Sequence, residues 1–270
     1  MVEYQNPNYP ADTFTGTAGT YARFRLPYPP QLIEHLLAQH RDVRRDLLID
    51  LACGPGRLTI PLAPFFSRVT AVDLEPEMVE EARRQAHGLG VTNITWRVGR
   101  VEELETPSGT AAMITIGEAF HRVDQKRVLE NGRRSLRPGG TFVILGGTSV
   151  FDPTVPWQRA VADVVQKWTG LQNVPYVSQE FIAETVKQCE DQMNDRGFKE
   201  VASRQFSMRH TWTAESIVGY LFSTSFCSRR ALGANADAFA ADMADNLSKF
   251  GRQFEEDWSF GCTLGQNPRT

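Results

Sequence analysis

Short apolar runs alternate with amphipathic stretches along the first half of the chain. The apolar runs predict buried strands at residues 47–52, 69–72, 94–98, 111–116 and 141–145. Helical spacing of apolar residues, or a proline at a helix start, predicts helices between them at 31–40, 57–66, from Pro76 onward and at 124–136. Strands that alternate with helices in one sheet pair in parallel through right-handed crossovers. The pattern therefore predicts a doubly wound α/β sheet.

The second half of the chain has longer helical stretches, and only two further runs look like strands. The predicted helices lie at 157–168, 178–196, 214–223 and 234–250, and the predicted strands lie at 198–208 and 254–264. This order fits a mostly parallel sheet with an antiparallel final strand and helical insertions. Residues 1–30 are rich in proline, glycine, threonine and aromatic residues, which predicts an irregular arm with a short helix. We divide the chain into an N-terminal arm and helix (1–45), a sheet core (46–147) and the remaining strands with their insertions (148–270).

Composition and charge narrow the class of protein. The 270 residues are 41% hydrophobic, carry a formal net charge of −3, and contain no apolar run near the ~20 residues of a membrane span. The N-terminus lacks the basic-then-apolar plan of a secretory signal. Cys53, Cys189, Cys227 and Cys262 form no C-x-x-C pair, which argues against a zinc site or a disulfide framework and for the reducing cytoplasm. The arginines are scattered, so we expect no metal, no membrane and no nucleic-acid duplex as partner.

The segment LLIDLACGPGRL joins the first predicted strand to a glycine-rich turn. Gly54 and Gly56 would let the backbone approach a ligand at the carboxyl end of the strand, beside Asp50. A dinucleotide site is the competing interpretation, but Thr59 stands where its third glycine would be, and Pro55 lacks the N–H that a pyrophosphate cradle uses. A cofactor without phosphates fits better. An ordinary strand-to-helix turn is the remaining alternative.

The segment AVDLEPEMVEEA ends the second predicted strand with an acid. Asp73 follows Asp50 by 73 − 50 = 23 positions, close to the ~20-residue offset at which an acid binds ribose hydroxyls in related folds. Asp73 could instead only cap a turn. Met78 falls on the first turn of the next helix, where it would pack on a nucleoside base or in the core.

These motifs, taken in order, resemble a known family. The order is D-L-A-C-G-P-G, A-V-D-L-E-P-E-M, V-G-R-V-E-E-L, I-T-I-G-E-A-F-H and L-R-P-G-G. It resembles the class I S-adenosylmethionine (SAM)-dependent methyltransferases, in the branch of small bacterial methyltransferase domains that act on natural products and other small molecules. The resemblance covers residues 21 to 145 and, more loosely, G-Y-L-F-S-T-S-F in the second half. It implies a Rossmann-like fold, SAM as cofactor and S-adenosylhomocysteine (SAH) as product.

The resemblance also assigns cofactor-binding residues. It implies that the arm of residues 1–45 closes over the cofactor, with Tyr21 and Arg25 at the methionyl carboxylate. The Rossmann-like core would hold the rest of SAM. Its methionine and ribose would meet Asp50, Ala52, Gly54, Gly56, Asp73 and Gly117, and its adenine would meet Leu74, Met78, Arg100, Val101 and Glu102. Many relatives carry Asp at the position of Arg100, so a backbone contact there is the alternative.

Methyl transfer would occur at the end of the fourth strand. The acceptor approaches in line, and a base assists when the acceptor must lose a proton. His121 is the candidate base, and Glu118 would contact the cofactor or a cationic acceptor. His121 could instead only shape the pocket. The arm and the insertions of residues 148–270 would form the acceptor pocket, for which the candidate residues are Tyr9, Phe14, Phe120, Trp157, Phe222 and Trp258. Ordinary core packing is the alternative for these aromatic residues.

The function favoured by the sequence is methyl transfer from SAM to an oxygen or nitrogen atom of a small molecule, a secondary metabolite such as an antibiotic or amino sugar. We expect a cytoplasmic monomer or homodimer. One alternative is a methyltransferase of RNA or protein, although the chain has T-I-G-E-A-F-H where base-amino methyltransferases carry N/D-P-P-Y. Another is a SAM-binding protein that catalyses a rearrangement without methylation, since fold does not fix function.

Overall fold

A seven-stranded sheet organises the part of the chain that the computed structural model describes, residues 12–39, 45–148, 151–174 and 179–269. Its strands are β1 (Leu47–Leu51), β2 (Arg68–Asp73), β3 (Ile94–Val98), β4 (Ala111–Gly117), β5 (Leu136–Gly147), β6 (Lys199–Trp212) and β7 (Phe254–Gln266). The strand order is β3-β2-β1-β4-β5-β7-β6. The first five strands pair in parallel, whereas β7 is antiparallel to both neighbours. The predicted Rossmann-like sheet with an antiparallel final strand is confirmed.

Helices cover both faces of this sheet. They are α1 (Ala18–Phe24), α2 (Pro30–Ala38), α3 (Thr59–Leu62), α4 (Pro76–Gly88), α5 (Gln125–Ser135), α6 (Pro156–Thr169), α7 (Gln179–Asp195), α8 (Ala214–Phe222), α9 (Arg229–Leu232) and α10 (Ala236–Ser248). One face packs against α2, α6, α8 and α10, and the other packs against α5 and α7. Leu48 of β1 faces the first core and Ile49 the second, because successive side chains of a strand point to opposite faces. No helix within the described ranges combines the length and apolarity that a membrane span requires.

The segment Leu-Arg-Pro-Gly-Gly differs from its prediction. We expected Pro138 and its neighbours to separate a helix from a strand at 141–145, but β5 already begins at Leu136. Leu136 pairs with Ala111 and Thr141 pairs with Met113, so the residues between them form an irregularity inside the strand. Gly139 adopts φ +71° there, a conformation that glycine allows at no steric cost.

The two C-terminal strands also extend beyond their predictions. Strand β6 continues to Trp212 because it pairs with β7 along its length, which brings Trp212 opposite Phe254. The predicted helix at 234–250 is present as α10, preceded by the separate short helix α9. The division of the chain into three parts stays a prediction.

Candidate functional site

A small, partly open cleft lies at the carboxyl ends of β1 and β4. Ligands of doubly wound sheets bind at this edge, where the strand order reverses. Predicted cofactor residues that line the cleft are Tyr21, Asp50, Ala52, Gly54 and Gly117. Residues that the sequence did not single out also line it, namely Tyr28, Cys53, Arg57 and Leu58, together with Pro55 of the glycine turn.

The glycine turn after β1 adopts backbone conformations that favour glycine. Gly54 adopts φ +52° and Gly56 φ +86°, and between them Pro55 offers no N–H. A side chain on Gly54 would meet no other atom within 4 Å, so this glycine leaves space open. A Cβ on Gly56 would lie 2.8 Å from Cδ1 of Ile60 in α3, so this glycine allows α3 to pack against the turn. The two glycines therefore have different tasks.

Asp73 lies at the end of β2 and connects it to the glycine turn. Its Oδ2 accepts a hydrogen bond of 2.7 Å from the Gly54 N–H, and its Oδ1 accepts one of 2.9 Å from the Glu75 N–H. Burial raises the pKa of Asp73, and the backbone N–H groups oppose that shift. Each carboxylate oxygen has a second lone pair, so Asp73 can still accept hydrogen bonds from a ligand.

Asp50 lies beneath the turn and is almost completely buried. Thr115 of β4 donates its hydroxyl to Asp50 Oδ1 at 2.6 Å, and Thr59 donates its hydroxyl to Asp50 Oδ2. Burial raises the pKa of Asp50 to about 6, and the two hydroxyl groups oppose that rise. Thr59, which replaces the third glycine of a dinucleotide motif, therefore holds the acid of β1.

A buried ion pair joins the turn to the end of β4. Arg57 Nη1 donates to Glu118 Oε2 at 2.7 Å, and Arg57 Nη2 also donates to the carbonyl oxygen of Leu26 in the arm. Burial by itself would raise the pKa of Glu118, but the guanidinium groups of Arg57 and Arg25 outweigh it and lower that pKa. Glu118 adopts φ +55°, a strained conformation that is common at functional sites.

Arg25 follows α1 and lies between two aromatic rings. Its guanidinium carbon is 4.8 Å from the ring centre of Tyr21 and 4.5 Å from that of Tyr220. Its Nε donates to Ser223 Oγ at 2.8 Å. Although burial opposes it, the aromatic hydroxyls and Glu118 raise the pKa of Arg25. The arginine is therefore a fixed cation beside the cleft.

The residues before α1 extend across the start of α4. Thr15 donates its hydroxyl to the carboxylate of Glu75 at 3.2 Å, and the Gly16 N–H donates to Glu77 Oε2 at 2.5 Å. Phe14, a predicted acceptor residue, packs edge-on against Tyr21 with ring centres 6.2 Å apart. The arm is thus attached beside Asp73 as well as beside Arg57.

His121 lies in the short 3-10 turn Phe120–Arg122 that follows β4. Its Nε2 accepts a hydrogen bond of 3.0 Å from Arg122 Nε. Burial, reinforced by the charge of Arg122, lowers the pKa of His121 to about 4. A histidine with this pKa is neutral at pH 7 and is a weak base. Phe120 is buried in the core.

The residues predicted to contact adenine follow Asp73 in the chain. Met78 is buried on the first turn of α4, and Leu74, which directly follows β2, is half-buried. Arg100 precedes the 3-10 turn Val101–Glu103 that follows β3. Glu102 uses its Oε1 to accept a hydrogen bond of 2.9 Å from the Asp124 N–H, so this carboxylate caps the loop before α5. Whether these side chains contact an adenine stays a prediction.

The other predicted acceptor residues are in the core. Trp157 packs on Phe254 with ring centres 5.4 Å apart, and Phe222 packs on Phe239 at 5.9 Å. Trp258 lies 5.8 Å from the ring of Tyr220, which in turn contacts Arg25. Within the described ranges these three residues do not line the cleft, and their role toward an acceptor stays a prediction. Tyr9 lies outside the described residues.

Among the site residues that the sequence analysis did not single out, three illustrate different reasons. Arg57 directly follows Gly56, so its position beside the turn was available as a signal. Tyr220 and Ser223 lie 195 and 198 positions from Arg25, and pattern analysis does not relate residues at such separations.

A family model described as "Methyltransferase domain" matches residues 48–140, which contain β1 to β4 and most of the cleft. An uncharacterized methyltransferase of Mycobacterium tuberculosis is 30% identical over 153 residues, which cover 57% of this chain and 58% of that protein. A methyltransferase of Aspergillus terreus is 31% identical over 130 residues, covering 47% and 40%. The chain thus matches about half the length of these curated relatives.

Solved structures share the fold at lower identity. A protein of Anaeromyxobacter dehalogenans provisionally assigned as a type II methyltransferase has a TM-score of 0.64 at 23% identity, covering 92% of this chain and 100% of that one. Phosphoethanolamine N-methyltransferase 2 of Haemonchus contortus has a TM-score of 0.56 at 15% identity, covering 95% and 58%. At these identities the likeness establishes the fold alone.

Proposed function

We propose that the chain, whose residues 48–140 match the methyltransferase-domain family model, binds SAM and methylates a small molecule. The observation that carries the proposal is the combination of the glycine turn with Asp73. Pro55 withholds an N–H and Thr59 replaces a third glycine, so the turn is poorly suited to a pyrophosphate. Asp73 at the next strand end suits a ribose. A nucleoside cofactor without phosphates satisfies both features.

The proposed cofactor residues divide into three groups, one for each part of SAM. Asp73 would accept hydrogen bonds from both ribose hydroxyls, since each of its oxygens keeps a lone pair. The second group would hold the methionine portion and comprises Asp50, Ala52, Gly54, Gly56, Gly117, Tyr21 and Arg25. The third group would hold the adenine and comprises Leu74, Met78, Arg100, Val101 and Glu102. Arg25 would bind the methionyl carboxylate, because a fixed guanidinium beside the cleft can form a strong charge-assisted contact with it.

The acceptor side is at the strained end of β4, near Glu118. Bound SAM supplies an electrophilic methyl group, so the protein's main contribution is to orient the acceptor in line with it. Among the predicted acceptor residues, Phe14 packs on the cleft residue Tyr21 and would belong to the surroundings of that acceptor, whereas Phe120, Trp157, Phe222 and Trp258 are core residues. His121, with a pKa of about 4, contributes more to shape than to proton transfer. The acceptor atom is oxygen or nitrogen, in a secondary metabolite such as an antibiotic or amino sugar. The protein acts in the cytoplasm as a monomer or homodimer.

Calorimetry with SAM, SAH and NAD tests the cofactor. We expect micromolar affinity for SAM and SAH, none for NAD, and loss of SAH binding in Asp73→Ala. Asp124→Ala is the matched control, because Asp124 caps α5 by accepting from the Arg127 N–H and does not line the cleft in the described structure. Full SAH affinity in Asp73→Ala, or a preference for NAD, would overturn the proposal. Mass spectrometry of candidate acceptors then tests the transfer, which adds one methyl group and yields SAH.

A further inference from the structure

One face of α8 contacts the residues of the arm at the end of α1. Glu215, Gly219 and Ser223 are spaced four residues apart, so they lie along one side of the helix and its C-terminal end. They meet three consecutive residues of the arm. Arg23 Nη2 is 3.1 Å from Glu215 Oε1, and Arg25 Nε is 2.8 Å from Ser223 Oγ. Between them, the ring of Phe24 occupies the space where a side chain on Gly219 would be.

Contacts from α8 fix the orientation of the Arg25 guanidinium. Ser223 is fully buried and donates its hydroxyl to the carbonyl oxygen of Tyr220 at 2.5 Å, which leaves its oxygen free to accept from Arg25 Nε. The rings of Tyr220 and Tyr21 both pack against the Arg25 guanidinium, and the ring centre of Tyr21 is 4.8 Å from its carbon. The two Nη atoms make only long contacts of 3.5 Å, to the Tyr220 hydroxyl and the Ser223 carbonyl oxygen. The two Nη groups of Arg25 can therefore still donate hydrogen bonds to a strong acceptor.

The charges around this edge favour an anion. Arg25 and Arg57 are cations and Glu118 is the carboxylate that both of them stabilise, so the three side chains together carry a net charge of +1. Arg57 uses its Nη1 on Glu118, whereas the structure gives Arg25 no hydrogen bond to a carboxylate among the described residues. A planar guanidinium that makes no hydrogen bond to a protein carboxylate suits the carboxylate of a ligand.

We propose that Ser223 and Tyr220 are positioning residues that hold Arg25 for the methionyl carboxylate of SAM. The inference rests on the proposed function and extends the cofactor site from the arm to the C-terminal end of α8. A positioning role means that Ser223 and Tyr220 act through Arg25 and do not touch the ligand. Their loss should therefore weaken ligands that carry the carboxylate and spare ligands that lack it.

Two ligands isolate the carboxylate. SAH carries it, and decarboxylated SAH keeps the adenosine, the sulfur and the amine but lacks it. We expect the wild-type protein to prefer SAH by at least about tenfold in calorimetry, the size of one charge-assisted contact. Ser223→Ala should reduce that preference about fivefold and leave the affinity for decarboxylated SAH within about twofold. Tyr220→Leu should do the same, and Tyr220→Phe, which keeps the ring over Arg25, should retain most of the preference.

Thr224→Val is the matched control for helix packing. Thr224 is the next residue, is buried, and donates its hydroxyl to the Leu221 carbonyl oxygen at 2.7 Å as Ser223 does to that of Tyr220, but makes no contact with Arg25 in the described structure. Thr224→Val should leave the preference for SAH over decarboxylated SAH unchanged. An unchanged preference in Ser223→Ala, or an equal loss in Thr224→Val, would overturn the inference while SAH still binds. If the wild-type protein binds neither ligand, the proposed function itself is wrong.

Discussion

Arg57 Nη1 lies 2.7 Å from Glu118 Oε2, and the two side chains are only 12% and 15% exposed. The pair connects three segments that are distant in the sequence. Arg57 belongs to the glycine turn, Glu118 ends β4, and the second Nη of Arg57 reaches the Leu26 carbonyl oxygen in the arm. Tyr28 adds a weak contact of 3.4 Å between its hydroxyl and Glu118 Oε2. The ion pair therefore sets the relative position of the turn, the arm and the strained residue at the acceptor end.

Removing one charge of this pair should destabilise the fold strongly. In Glu118→Gln the cation of Arg57 remains buried without its counter-charge, and we expect the free energy of unfolding to fall by about 3 kcal/mol. Denaturant titration measures this change. The control is Glu215→Gln, which breaks the ion pair with Arg23, whose side chains are 70% and 75% exposed. Exposed pairs contribute little, so the control should change stability by less than about 1 kcal/mol. Equal effects of the two variants would contradict our account.

The hydroxyl groups around Asp50 should control the pH dependence of cofactor binding. The pKa of Asp50 is about 6, so under our proposal the SAH affinity rises as the pH increases through 6 and Asp50 ionises. Thr115→Val removes one hydrogen bond to the carboxylate and should raise that pKa by about one unit. At pH 6.5 the variant should bind SAH several times more weakly than the wild-type protein, and at pH 8.5 the two should agree within about twofold. Calorimetry between pH 5.5 and 8.5 measures the shift.

The same substitution gives a stability test with a defined sign. Asp50 has a higher pKa in the folded protein than its ordinary 3.8, so the folded state holds the proton more tightly and loses stability as the pH rises from about 4 to about 6. Thr115→Val should extend that loss to higher pH. Thr141→Val is the control, because Thr141 is a fully buried strand residue whose hydroxyl has no hydrogen-bond partner within the described structure. A shift of the same size in Thr141→Val would exclude a specific role for the Asp50 hydrogen bond.

The sheet was predictable because its signals are local. Ile94–Val98 matches its predicted bounds, β1 and β4 differ from theirs by one residue at one end, and β2 differs by one residue at each end. Each of these strands is a short apolar run beside a proline, glycine or acid that ends it. The segment around Pro138 was not predictable in the same way, because pairing with β4 keeps Leu136 in the sheet despite the breaker residues. Tertiary pairing overrode the local signal there.

The candidate site was predictable only where backbone chemistry marks it. Gly54, Gly56 and Asp73 predict a turn and an acid at the ends of two strands, and the structure brings them together. Ser223 carries no such mark, since its importance comes from a partner 198 positions away, and although Glu118 was a candidate residue, its ion-pair partner Arg57, 61 positions away, was not. Glu102 shows the converse, because its carboxylate had a predicted ligand role but is engaged by the Asp124 N–H. Contacts across the fold decide these cases, and one sequence does not contain them as a pattern.

His121 should behave as a neutral residue throughout the physiological pH range. Its pKa of about 4 results from burial first and the Arg122 charge second, so Arg122→Gln should raise the pKa while leaving it below the ordinary 6.5. An NMR titration of the imidazole measures both values without any acceptor. His121→Gln should then reduce kcat less than tenfold on the acceptor found by mass spectrometry, because the Nε2 lone pair is engaged by Arg122. A general base would instead contribute about 10²–10⁴-fold. A loss in that range, with the disappearance of an inflection in the pH profile, would establish His121 as the base after all.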